Sequence, residues 1–124
     1  MKSERECRQD IVEVCRRMHG RGFISGSDGN VSVRLGANRI LSTPSGLNKG
    51  FIAPRDLIVT DMDGTKLQGE HKPTTELFMH IEAYTRREDV GTEGYGPVAT
   101  ICTSSRFHPQ YCHELSVAPM VQRI

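Results

Sequence analysis

The segment whose reading decides the fold is Gly26-Ser27-Asp28-Gly29-Asn30-Val31-Ser32-Val33-Arg34-Leu35. A run of small and polar residues passes without a break into alternating positions. Val31, Val33 and Leu35 fall on one side of an extended chain and Ser32 and Arg34 on the other, the period of a half-buried β-strand. Gly36-Ala37-Asn38 follows as a turn, and Arg39-Ile40-Leu41-Ser42 reads as the returning strand. Thr43-Pro44-Ser45-Gly46 breaks the pattern and Pro54-Arg55-Asp56 makes a second turn. Leu57-Ile58-Val59-Thr60 is a third strand, and Asp61-Met62-Asp63-Gly64 turns the chain into a short strand at Thr65-Lys66-Leu67.

Helical patterns lie on either side of these strands. Ser3 and Glu6 have the spacing of a capping box, which satisfies amide donors orphaned at a helix start. Cys7, Ile11, Val14, Cys15 and Met18 recur at helical spacing, and Gly20 suits a C-cap. A second helix is expected to open near Pro73-Thr74-Thr75-Glu76, where proline is acceptable in a first turn, with Leu77, Ile81 and Tyr84 as its apolar stripe and an end near Arg87. Helix, antiparallel strands and helix together predict an α/β chain of the layered α+β kind, a central antiparallel or mixed sheet flanked by helices.

Composition narrows the function classes. In 124 residues, 16 Lys+Arg against 15 Asp+Glu leave a net charge of +1, which lacks the basic footprint of a nucleic-acid or membrane-surface binder. Apolar runs of only a few residues fall far short of a membrane span. The start, Met1-Lys2-Ser3-Glu4-Arg5-Glu6, lacks the apolar segment of a secretion signal, so a cytoplasmic location is expected. Cys7, Cys15, Cys102 and Cys112 include no C-x-x-C pair; Cys7 and Cys15, on the apolar side of the first helix, are expected to be buried, reduced thiols.

Several signatures fail on inspection. Gly20-Arg21-Gly22 has neither the third glycine nor the preceding strand of a dinucleotide site, and Asp61-Met62-Asp63-Gly64 lacks the closing acid of a calcium loop, since Lys72 stands there. Three short segments are richer. Gly26 to Ser32, Ser42 to Gly46 and Lys72 to Glu76 each combine hydroxyls with glycine or with the start of a helix, the groups that bind phosphate. Glu76 is stabilised there by the helix dipole; beside a phosphate cradle and a metal, its carboxylate has the chemistry to move a proton to or from a carbon next to a carbonyl.

In that order, Gly26 to Arg34, Thr43-Pro44-Ser45-Gly46 and Lys72-Pro73-Thr74-Thr75-Glu76 resemble the class II aldolase/adducin family, over a stretch from about Cys7 to Val90. The resemblance implies zinc-dependent aldol cleavage of a phosphorylated sugar, a ketose 1-phosphate, with epimerase and dehydratase relatives and the non-catalytic adducins. It also implies assembly as a cyclic tetramer with sites at subunit boundaries. Matched residue by residue, Ser27, Asn30, Ser45, Gly46, Thr74 and Thr75 stand at phosphate-binding positions and Glu76 at that of the catalytic acid/base. Zinc in the family acts as a Lewis acid that stabilises the enediolate.

The chain departs from the family after Val90. Of the charged residues only Glu93, Arg106, Glu114 and Arg123 follow it, and the stretch shows no clear period. Residues 1–90 are therefore expected to form the family-like part. Residues 91–124 are expected to be a divergent tail, either genuine or the product of a changed reading frame, that leaves the sheet incomplete at one edge and prone to self-association. The family's H-x-H pair should fall near Tyr95 and Pro97, where no histidine stands. His108-Pro109 resembles the end of a displaced H-x-H-P motif, but Arg106 would occupy its first ligand position and stays protonated. His113 lies at the wrong spacing, and His19, His71 and His80 read as surface or interface histidines. Zinc is thus expected to bind weakly or not at all, and aldolase activity to be impaired. The alternative is an adducin-like module that binds a phosphorylated ligand without catalysis.

Overall fold

A computed structural model describes residues 2–22, 24, 26–27, 29–86, 98–102 and 121–123. The first helix, α1, is Glu4–Gly20; strands β1 (Asn30–Gly36), β2 (Arg39–Ser42), β3 (Ile58–Thr60) and β4 (Lys66–Gln68) follow, with a short 3-10 turn at Pro54–Asp56. Then come helix α2 (Leu77–Arg86) and strands β5 (Val98–Cys102) and β6 (Val121–Arg123). The strands form one antiparallel sheet in the order β4-β3-β2-β1-β5-β6.

The start of α1 is the expected capping box. Ser3 N donates to Glu6 Oε2 at 2.7 Å and Glu6 N to Ser3 Oγ at 3.3 Å. Gly20 is the last helical residue, one position earlier than a C-cap, and Arg21 takes that place. Arg8 reaches from the helix to the carbonyl of Pro54 at 2.9 Å and so fastens α1 to the 3-10 turn.

One face of the sheet packs on α1. Val31 and Val33 from β1, Leu41 from β2 and Val59 from β3 join Cys7, Ile11, Cys15, Ile52 and Leu57 in a single core. Each buried aliphatic side chain contributes roughly 1.5–3 kcal/mol. Cys7 and Cys15 are free buried thiols, as the apolar stripe predicts. Burial pushes the Cys15 thiol up to about 12, with the Lys49 charge partly offsetting it, so Cys15 stays neutral and packs as a small hydrophobe.

The opposite face corrects the expectation of a half-buried strand. Ser32, Ser42 and Thr60 are as deeply buried as the valines, and α2 meets this face at Ser32 through His80 and Tyr84. Ile40 and Tyr84, with Met62 and Ile81 beside them, supply the apolar part of this second layer. Helix α2 begins at Leu77 rather than near Pro73; Thr74 to Glu76 form the turn before it, and Leu77 N donates to the Thr74 carbonyl at 3.2 Å.

Neither β5 nor β6 has a periodic signal in the sequence. Both extend the sheet beyond β1, β5 by the pairing of Asn30 with Cys102 and of Ser32 with Thr100. The expected boundary at residues 90 and 91, and His108 with it, lie outside the described residues. Among the described residues no helix is long and apolar enough to cross a membrane.

Candidate functional site

Antiparallel pairing puts the first two glycine loops at one end of the sheet. Ser32 lies opposite Ser42, so the chain entering β1 at Asn30 and the chain leaving β2 after Ser42 emerge side by side. Val31 N donates to Thr43 Oγ1 at 3.1 Å, and Thr43 N to the Val31 carbonyl at 3.0 Å. In the entering loop Gly29 has a φ of +87°, and a Cβ there would meet Ile24 Cγ2 at 2.8 Å, so only glycine suits the position. The buried Lys49 ammonium donates to the Ser27 carbonyl at 2.9 Å and to the Leu47 carbonyl at 3.0 Å, spanning the two loops.

The third segment joins this end through backbone and side-chain contacts. Ser45 N donates to the Lys72 carbonyl at 3.0 Å, and Pro44 pairs with Pro73 in an isolated antiparallel bridge. Asn30 Nδ2 donates to Glu76 Oε2 and brings the third segment back to the first. The three segments therefore form a closed ring. Every expected phosphate-binding residue belongs to it, but not on equal terms. Ser27, Ser45, Gly46 and Thr75 are exposed, whereas Asn30 and Thr74 are buried beneath them and Glu76 is half-buried. Thr74 Oγ1 is already engaged, accepting from Glu76 N at 3.3 Å. Exposed hydroxyls and amides over a buried amide and a carboxylate can hold an anion and place a proton acceptor beside it.

Glu76 is held in place by a ladder between β1 and α2. Residues two apart on a strand are about 6.7 Å apart and residues four apart on a helix about 6 Å, so the two series can meet in register. Asn30 meets Glu76; Ser32 Oγ lies 2.7 Å from His80 Nδ1 and 2.9 Å from the Tyr84 hydroxyl; Arg34 Nη1 donates to the Tyr84 carbonyl at 3.3 Å. His80 is thus no surface histidine. Burial pushes it down to about 4, so its imidazole is neutral at pH 7. Its Nε2, with Ser42 Oγ and Thr60 Oγ1, has no hydrogen-bond partner among the described residues. The sequence signal for this ladder is the spacing of Glu76, His80 and Tyr84 at every fourth position against Asn30, Ser32 and Arg34 at every second. Lys49 carries no comparable signal.

Among the described residues the other two histidines have their own partners. His71 Nε2 sits 3.3 Å from Asp56 Oδ1, and the His19 ring packs edge-on against Phe51 with centroids 5.4 Å apart. Zinc, which the resemblance implies, needs convergent imidazole, thiolate or carboxylate donors. Among the described residues no three His, Cys, Asp or Glu side chains converge. His80, the histidine one turn from Glu76, is committed to Ser32 through Nδ1 and enclosed. The described residues by themselves thus do not make up a zinc ligand set.

Comparison with known proteins gives the family. Residues 9–92 match the family model for the class II aldolase and adducin N-terminal domain. The chain is 38% identical over 81 residues to an L-fuculose phosphate aldolase of Methanococcus maripaludis, covering 65% of this chain and 43% of that protein. It is 38% identical over 89 residues to a methylthioribulose-1-phosphate dehydratase of Pseudomonas syringae pv. tomato, covering 72% and 44%. Among solved structures, YgbL from Escherichia coli superposes with a TM-score of 0.69 at 26% identity, over 83% of this chain and 47% of that one. An aldolase II superfamily protein from Pseudomonas syringae, at 19% identity and a TM-score of 0.70, shares the fold. The chain spans under half the length of each of these relatives. With its match across the strands, loops and helix that build the ring, the chain belongs to the class II aldolase and adducin N-terminal domain family.

Proposed function

We propose that the ring of loops binds the phosphate of a phosphorylated sugar and that Glu76 is the acid/base of a lyase of the class II aldolase kind. Ser27, Ser45, Gly46 and Thr75 would face the phosphate, with Asn30 and Thr74 supporting them from below. The Glu76 carboxylate would carry a proton to or from the carbon beside the substrate carbonyl, a step shared by aldol cleavage and dehydration. The observation that carries this reading is the contact of Asn30 with Glu76, which joins the anion-binding loops to a carboxylate. Relatives named for an aldolase and for a dehydratase, both of sugar phosphates, support the substrate class.

Residues 1–90 would supply this half-site and residues 91–124 a divergent tail. Zinc would bind weakly or not at all, because Arg106 stands where His108 needs its partner ligand, and cleavage would be slow for want of a Lewis acid. A second reading, an adducin-like module that binds the phosphorylated ligand without catalysis, is favoured by the same broken ligand pattern. Cytoplasmic location and self-association belong to the proposal; exposed Phe51 and Phe78 supply apolar surface for contacts between copies.

Inorganic phosphate and a ketose 1-phosphate should each raise the melting temperature by mass action. A flat response to both would remove the phosphate reading. Tight one-to-one zinc binding by calorimetry would overturn the impaired-site reading. Glu76→Gln should abolish any proton exchange into the sugar phosphate while leaving the thermal response to phosphate intact, and unchanged exchange would take the acid/base role from Glu76.

A further inference from the structure

Lys49 is only 2% exposed, and an ammonium is among the groups least tolerated inside a protein unless it is well partnered. Two of its contacts join separate parts of the chain. Nζ donates to the carbonyl of Ser27, in the loop that enters β1, and to that of Leu47, in the loop that leaves β2. These loops turn on left-handed glycines, Gly26 and Gly29 in one and Gly46 in the other. Of the ring's connections, Thr43 with Val31 secures the roots of the two loops next to the strands. The Lys49 contacts are made farther along the chain from the strands, at the carbonyls of Ser27 and Leu47. Replacing this charge by a neutral chain of the same length would leave two carbonyls without their charge-assisted donor.

We propose that Lys49 is a positioning residue, a buried cationic bolt that holds the two glycine loops at a fixed separation and so sets the geometry of the anion site. Its function for phosphate rests on the reading given above; the bolt itself does not. It acts through the carbonyls of Ser27 and Leu47, drawing the loop dipoles inward so that hydroxyls and amides are left facing solvent.

The test uses the 124-residue chain, with nitrogen-15 relaxation read at Gly26, Gly29 and Gly46, and a titration with inorganic phosphate. In the parent protein the order parameters of all three glycines should lie near about 0.85, and in Lys49→Met those of both loops should fall together below about 0.6 while α1 and β2 stay rigid. Phosphate binding should weaken about tenfold in Lys49→Met, and Lys49→Arg, which keeps charge and donors, should recover both readouts. Equal order parameters in parent and Lys49→Met, or mobile loops already in the parent, overturn the proposal. If the parent binds no phosphate, the anion reading falls and the relaxation data still decide the bolt. Should Lys49→Met fail to fold, Lys49→Gln, a neutral side chain that still carries donors, takes its place in the same comparison.

Discussion

Against α1 the sheet presents Val31, Val33, Leu41 and Val59; the opposite face, where Ser32 meets α2, carries the buried Asn30, Ser32, Ser42 and Thr60. Both faces are buried, and the same strands supply them alternately. The α1 face stabilises by removing apolar area from water, a term that tolerates many sequences of similar volume. The α2 face gives up part of that stabilisation. It fixes one helix in one register, with Ser32 between His80 and Tyr84, and that register is what brings Glu76 to Asn30. The difference teaches that burial alone does not mark a residue as packing: here the polar side of the sheet is the side next to the candidate site.

The comparison can be broken first on the apolar side. Ile11 is fully buried in the α1 core, so Ile11→Ala should cost about 3 kcal/mol in urea denaturation. The molecules that remain folded should keep their response to phosphate. Loss of that response at full folding would mean that the two faces are not separable.

Acid should sharpen the comparison from the polar side. His80 is held near 4 by burial and titrates near 6.5 once unfolded, so between these values the unfolded chain binds the extra proton. Stability is complete above pH 6.5 and falls as the pH drops toward 4, by about 2 kcal/mol between pH 8 and pH 5. Glu4, Glu13 and Asp56, held below the usual carboxylate range, give way only at lower pH, which leaves this window to the histidine. A flat urea midpoint from pH 8 to pH 5 would show that His80 is reached by solvent and that the α2 face is not closed.

The smallest effect expected is at the helix cap. Ser3→Ala removes the hydroxyl that accepts from Glu6 N and should cost about 1 kcal/mol. It should leave both phosphate binding and the acid transition of His80 in place, since α1 touches only the apolar face. A shift in that transition would couple the two faces.

What could be read from residue order alone is local. The capping box at Ser3 and Glu6, the stripe of Cys7, Ile11 and Cys15, and the alternation of Val31 and Val33 specify α1 and β1, because period and capping act within a few residues. The Asp61 turn is legible for the same reason: its carboxylate accepts from the amides of Asp63 and Thr65, and Gly64 follows in the left-handed region. The order of the three phosphate-type segments was legible too, because each carries its own hydroxyls and backbone amides. Tertiary structure decided the rest. Ser32 counts as a solvent-facing residue until α2 covers it, and His80 as a surface histidine until Ser32 and Tyr84 enclose it. Lys49 is an unremarked lysine between Asn48 and Gly50 until two carbonyls from separate loops converge on it. Strands β5 and β6 show no period and exist by pairing with a neighbour. Each of these depends on groups distant in sequence, and a desolvated hydrogen bond gains its strength only when the fold has removed the water around it.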